Sequence, residues 1–423
     1  MMTFLFAAII LYYCFSKPVV GLALLLQINI IRSLPIIDFE TPCFNCTNEP
    51  DILLGAVTPL IGFFLICIKL DFKKRIKYRF DEFDGFFLLT IPILFIASFY
   101  SPNFMASLDY SFRFLFLGSG FYFITKITIS NTDMYLKKVY LFFKTTLILS
   151  VFLGTIAGVL YITKGENHLR LTLPGVHPIP FSQLIGVGVL ISFITFITNG
   201  RFLQIQSKSI LNINKLILLY LTVLLLATNT RGVMLSVGVA ILFYVIITKV
   251  KIKKRTLYIS GGILLIGLIV IINYIDVDVL FTRMFSPYTS KSVDDRLIAY
   301  QDSFLMLFKH PFGVGTNGFS HYSILPYPHN LFLENIANYG VFGILMSIYF
   351  LLMALFMLLI TIRNHKKDFM YVFLYSLFIY FFIETMFSFT LWMHKGLYLS
   401  IGLFTAYHYR FKKSKTPLNN EHD

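Results

Sequence analysis

Acidic residues are scarce in this chain: 21 Asp and Glu stand against 36 Lys and Arg, a formal net charge of +15 over 423 residues. Charged residues of either sign make up only 13%, while apolar residues make up 57% and aromatics 17%. A water-soluble fold of this size cannot enclose so much apolar surface, so the bilayer must be the solvent for most of the chain. No Walker loop, dinucleotide-binding glycine fingerprint, H-E-x-x-H or G-x-S-x-G run is present, which counts against an ATP-driven pump and the common soluble hydrolases. No internal repeat is obvious, so an inverted-repeat transporter gains no support. Cysteine is down to four residues. Cys14 and Cys67 fall in apolar spans as packing residues. Cys43 and Cys46 form a C-x-x-C in a loop, either a disulfide or two free thiols. A second ligand pair for a metal knuckle is missing.

The positive charge is a topology signal. Nearly half of the Lys and Arg sit in four short breaks, "KKRIKYR" at 73–79, "KVKIKKR" at 249–255, "RNHKK" at 363–367 and "RFKKSK" at 410–415. They alternate with breaks poor in basic residues, such as 35–51 and 388–392. The positive-inside rule makes the basic breaks cytoplasmic and the others external. Basic stretches interleaved with stacking aromatics are absent outside the apolar spans, which argues against nucleic acid as a partner.

Apolar segments near the length of the hydrocarbon core lie at about 2–16, 18–34, 52–70, 83–100, 106–126, 139–162, 181–199, 215–228, 232–248, 256–274, 340–362, 369–387 and 394–409. The first lacks a basic flank and a small-residue cleavage site and is expected to be retained. The expectation is an all-α polytopic membrane protein with about twelve to thirteen transmembrane helices, a single integral membrane domain over 1–423. Residues 275–339 form its longest non-membrane stretch. Within it "SVDDRLIAYQDSFLMLFKHP" predicts an interfacial helix. Ser292 and Asp295 suit a capping box, and Leu297, Ile298, Phe304, Leu305 and Phe308 can share one apolar face, stopped by Pro311 and Gly313.

Polar groups at the external helix ends are the candidates for chemistry. Arg170, Arg231 and Arg296 are positive residues on the face that disfavours them; each can be a snorkelling arginine or an anion ligand. Arg231 is the sharpest case, in the tight "NTR" turn at 229–231 with no acid nearby in sequence. Guanidinium suits bidentate contact with phosphate. His329, in "YPHN", is either structural or a general base, and a surrounding of positive charge would keep it neutral. His168, His177, His310 and His321 are weaker, each explained by a turn or a proline. "DFE" at 38–40 and "DVD" at 276–278 resemble metal-holding carboxylate pairs but arise easily by chance. Asp109 and Arg113 are spaced for an intrahelical ion pair, and Glu384 is within reach of pairing with Lys395. A transporter of lipid-linked sugars would spread polar residues at mid-membrane depth, whereas here they gather at one face.

The order of "TNTRG" at a helix start, "DDR", "HPFGVGTNGF" and "PHNLFLENIANYGVFG" leading into a span resembles the O-antigen ligase and Wzy-type O-antigen polymerase superfamily over about 229–350. "HLRLTLPGVHPIPFSQ" is similar to that family's upstream arginine loop; Thr230 stands where the family often has Ser. The resemblance implies a metal-independent, inverting glycosyltransferase of the bacterial inner membrane, without cofactor, its long loop and active site periplasmic. The donor would be an undecaprenyl-diphosphate-linked glycan. The acceptor would be a lipid-linked repeat unit (polymerase, the preferred expectation) or lipid A–core (ligase), with a chain-length regulator as a further partner. Carried over by motif, Arg170 and Arg231 would contact the diphosphate and His329 would act on the acceptor. Arg296, Asn330, His310 and Gly315 would line the substrate.

Overall fold

The computed structural model describes residues 2–34, 53–71, 78, 80–130, 134–164, 170–249, 291–366 and 368–415. Cys43, Cys46, His168, "DFE", "DVD" and the apolar segment 256–274 lie outside them. Helices account for 81% of the structure, as expected where the backbone can find no water and must satisfy its own hydrogen bonds.

The helices in order are α1 (Met2–Ser16), α2 (Pro18–Leu26), α3 (Ile28–Ile31), α4 (Thr58–Asp71), α5 (Asp84–Ser98), α6 (Phe104–Arg113), α7 (Gly120–Ser130), α8 (Tyr135–Lys164), α9 (Pro178–Ile197), α10 (Lys208–Ala227), α11 (Arg231–Thr248), α12 (Lys291–Lys309), α13 (Leu331–Asn364), α14 (Phe369–Glu384) and α15 (Lys395–Lys415). Single π turns at Leu53–Val57 and Phe114–Ser119 run directly into α4 and join α6 to α7. Among the described residues seven helices are long and apolar enough to cross a bilayer, and three shorter ones are also apolar. All but one of the segments expected from the sequence coincide with helices; 256–274 is the exception, outside the described residues. Cys14 is buried and Cys67 half-buried, both as free thiols in α1 and α4.

The centre of the bundle is α14. Its side chains are buried nearly all round, from Met370 to Glu384, by α9, α11, α13 and α15. The outward faces of α8, α11 and α13, with residues such as Ile148, Leu242, Leu352 and Leu359, are exposed apolar surface of the kind lipid covers. Away from the candidate site, Lys126 of α7 binds Asp84 and Asp81 at 2.7 and 2.8 Å, and Tyr78 and Tyr122 also donate to Asp84. That buried pair fixes α5 against α7. Asp109 and Arg113 form the expected i,i+4 ion pair at 2.7 Å.

The long polar stretch is shorter than its sequence suggests. Residues 331–339 are helical, not loop: the Asn330 side chain caps α13 by accepting from the amides of Phe332 and Leu333 at 3.0 and 3.2 Å. The helix then breaks at Gly340, whose φ of 55° and ψ of −127° lie outside helical space. The break frees carbonyls of α13, and the "HPFGVG" loop fills them. The amides of Val314 and Gly315 donate to Ala337 and Asn338 oxygens at 3.0 Å each, and that of Val341 donates back to the Pro311 oxygen at 2.9 Å. A Cβ on Gly340 would stand 2.0 Å from the Pro311 oxygen, so this approach of two backbones requires glycine. Upstream, α12 turns Ala299, Ser303 and Met306 inward and leaves Leu297, Ile298, Phe304, Leu305 and Phe308 exposed, the apolar outer face predicted for an interfacial helix. The side chains of 291–294, where the capping box was expected, are outside the described residues.

Candidate active site

Four loops meet at one end of the bundle. The amide of Leu171, next to Arg170, donates to the Ala227 oxygen at 2.9 Å, which ties the Arg170 loop to the turn carrying Arg231. The amide of Leu331, two residues after His329, donates to the Thr385 oxygen at 3.0 Å. Glu384, just before Thr385, accepts from Gln183 of α9 at 3.2 Å and from Ser236 of α11 at 3.1 Å. The ends of α9, α11, α13 and α14 are thereby locked together, and the polar groups they carry share one face.

His329 is the best-defined of them. It sits in the left-handed backbone region at φ 58°, half-buried, its ring 4.3 Å from that of Tyr327. Its Nδ1 is enclosed and has no hydrogen-bond partner among the described residues. Burial, then the Arg296 charge, then His177, push its pKa down to about 4. The imidazole is therefore neutral at physiological pH, with a nitrogen able to take a proton. His177 caps α9, accepting from the Ile179 amide at 3.3 Å. Its pKa is lowered by loss of solvent and then by the charge of Arg170. Arg170, His177, His329 and Arg296 thus form one electrostatically connected row. His177, which the flanking prolines seemed to explain, belongs to it.

Arg231 opens α11 with its side chain exposed and no hydrogen bond or ion pair among the described residues. In the turn before it Thr228, Asn229 and Thr230 are buried, and neither side-chain amide atom of Asn229, at φ 48°, is hydrogen-bonded among the described residues. The nearest acid in space reaches the backbone beside Arg231 without pairing with it. Glu384 Oε1 lies 3.6 Å from the Cβ position of the adjacent Gly232. It is engaged by Gln183 and Ser236 and does not pair with Lys395 as its sequence position allowed.

The remaining candidates fall in supporting places. Asn330 is spent on the α13 cap, with its amide nitrogen 3.8 Å from Met386 Sδ. His310 closes α12 through its amide to the Met306 oxygen and packs its ring on Tyr322 at 5.3 Å. Gly315, at φ 89°, would drive a Cβ to within 2.5 Å of Ser101 Cα, so its lack of a side chain lets the loop pack closely on the α5–α6 turn. Among the described residues no three His, Cys, Asp or Glu side chains converge as metal ligands.

Fold and site together define an all-α, multi-pass membrane protein with a cationic, histidine-bearing site at one end of its bundle. Residues 216–348 match the family model described as O-antigen ligase, which supports the resemblance of this segment to the O-antigen ligase/Wzy superfamily. The matched segment holds Arg231, Arg296, His329 and the Gly340 break, while Arg170 and His177 lie upstream of it. No curated protein matches the chain.

Proposed function

We propose that this protein is a glycosyltransferase of the inner membrane that moves a glycan from undecaprenyl diphosphate to a sugar hydroxyl at the periplasmic face. The observation that carries the reading is the row of Arg170, His177, His329 and Arg296 around a neutral imidazole with an unpartnered nitrogen. In such a transfer the acceptor oxygen bonds to the anomeric carbon as the bond from that carbon to the diphosphate oxygen breaks. The acceptor proton passes to His329, and the negative charge passes to undecaprenyl diphosphate. Arg170 and Arg231, placed in advance, stabilise that charge most where it is largest, in the transition state. Attack opposite the leaving group inverts the anomeric centre. His329, held neutral by burial and then by Arg296 and His177, is ready to receive the proton without first losing one.

The preferred acceptor is another lipid-linked repeat unit, which makes the protein an O-antigen or polysaccharide polymerase working with a chain-length regulator. The second reading, transfer to lipid A–core, is favoured by the family model's own description as O-antigen ligase. Glycan profiling of a deletion strain decides between them. A single repeat still attached to core, with long chains gone, establishes the polymerase. Unsubstituted core with lipid-linked polymer accumulating establishes the ligase. A profile identical to the parent overturns both.

A further inference from the structure

A cleft of about 570 Å³ opens between the start of α6 and the loop that follows Thr316, and it shares no lining residue with the His329 row. Asn103, Phe104 and Met105 form one wall; Asn317, Ser320 and His321 form the other. The volume is in the range of small-ligand sites. No Lys, Arg, Asp or Glu lines it. Its walls are held from behind. The Thr316 hydroxyl donates to the Leu94 oxygen at 2.7 Å, and the Thr316 carbonyl accepts from the Ser101 and Ser107 hydroxyls at 2.9 and 2.6 Å. The Phe319 amide donates to the Asn338 side chain at 3.2 Å, and that of His321 to the Gly318 oxygen at 3.1 Å.

The polar side chains on these fixed walls keep hydrogen-bonding capacity. The Asn317 carboxamide, the Ser320 hydroxyl and the His321 ring nitrogens have no hydrogen bond among the described residues. Asn103 spends its side-chain oxygen on the Ala106 amide at 3.1 Å and keeps its amide nitrogen as a donor. A charged ligand would find no counter-charge in the cleft, and a purely apolar one would cover these groups without pairing them. A ligand rich in hydroxyls both donates to and accepts from them, and the C–H faces of its rings can rest on the exposed Phe104 and Met105. The cleft also lies close to the proposed chemistry along the chain. Asn338, which holds the Phe319 amide, is about 10 Å along α13 from Leu331, two residues after His329.

We infer that Asn103, Asn317, Ser320 and His321 form a saccharide site that holds uncharged sugar rings of a glycan beside the transfer site, without contact to its diphosphate. That this glycan is a chain undergoing transfer rests on the transferase reading; the saccharide site itself does not. Fixed walls favour such binding, because little order has to be imposed on the protein when the sugar enters.

The test measures binding of fluorescently labelled oligosaccharides to the full-length protein in nanodiscs. The probes are fragments released by partial acid hydrolysis of the parent strain's own surface glycan, free of lipid and diphosphate. The wild type should bind them, with an affinity that about 1 M NaCl leaves unchanged, since no charge takes part. Asn317→Gly combined with Ser320→Ala should weaken binding by about tenfold or more. Glycine keeps the φ of 56° at position 317, so the loop path is preserved while the carboxamide is lost. His321→Ala, at an exposed position, should weaken it as well. Arg170→Ala combined with Arg231→Ala should leave it intact. No binding by the wild type, undiminished binding in the Asn317/Ser320 double variant, or loss in high salt or in the Arg170/Arg231 double variant each overturns the proposal. Failure of the transferase reading shows separately, as a deletion strain whose glycans match the parent; oligosaccharide binding that depends on Asn317 and Ser320 would then still establish the site.

Discussion

The acid limb of the pH–rate profile should lie far below that of an ordinary histidine. With a pKa of about 4, His329 is roughly 3% protonated at pH 5.5, whereas an unperturbed imidazole would be about 90% protonated there. A base works only in its deprotonated form, so kcat/KM, which reports the free enzyme, should stay level down to about pH 5. It should then fall about tenfold per pH unit below about pH 4. The two charges that depress this group, after burial, can be removed separately. Arg296→Gln deletes the larger and should move the limb toward neutrality; His177→Gln deletes the smaller and should move it less. Bound diphosphate adds negative charge near the imidazole and favours its protonated form, so the limb in kcat should lie at higher pH than the limb in kcat/KM. The assay is the initial rate of glycan transfer by purified protein from a labelled lipid-diphosphate donor. Circular dichroism at each pH would show that the protein remains folded. A limb near pH 6.5 in the wild type, or one that Arg296→Gln leaves in place, would refute the electrostatic reasoning.

Other outcomes follow from the same geometry. Arg231→Lys keeps the charge but loses the planar two-point contact and should remain badly impaired, while Arg170→Ala should weaken donor binding and turnover together. His329→Ala should bind lipid-diphosphate donor nearly as before and lose transfer by about 10²- to 10⁴-fold; equal loss of donor binding would make His329 a diphosphate ligand instead. Transfer should persist in excess chelator, and activity that vanishes and returns with Mg²⁺ or Mn²⁺ would move attention to "DFE" and "DVD". Reporter fusions after Lys77, Lys254 and Lys366 should report cytoplasm and those near Thr172 and Ser290 periplasm; a periplasmic signal at Lys254 would put Arg231 on the wrong face. Gly340→Ala should lower stability by about 1–3 kcal/mol or more, seen as a depressed unfolding midpoint, because its φ of 55° and the Pro311 oxygen 2.0 Å from its Cβ position both oppose a side chain.

The helices were legible because a membrane span announces itself by composition over some twenty residues. The residues 331–339 were not. "LFLENIANY" is too polar to read as part of a span, and its helicity depends on the Asn330 cap and on amides delivered from the loop before it. His329 and Arg231 stood out as charges or bases with no local explanation. His177 did not, because a histidine before proline already has one, and the pull of Arg170 on it appears only in three dimensions. Glu384 is separated from Gly232 and Ser236 by well over a hundred residues, and only the packing of α14 against α11 makes them neighbours. The exchange of Glu384's expected partner, Lys395, for Gln183 and Ser236 has the same origin: sequence proximity across a turn says little about which helix faces which.

The seam at Gly340 bears on how such a protein can diversify. Residues 311–319 are stitched by hydrogen bonds through their backbone to α13 and to the α5–α6 turn, with Gly313 and Gly315 fitted closely against both, so their backbone path is fixed. Residues 320–326 follow at once as exposed and half-exposed bends, with few backbone bonds of their own. Insertions and exchanges there would alter the rim without disturbing the stitched segment or the His329 backbone. On the proposed transfer reading, preference for different glycans would drift in these few positions while the backbone behind them stays put.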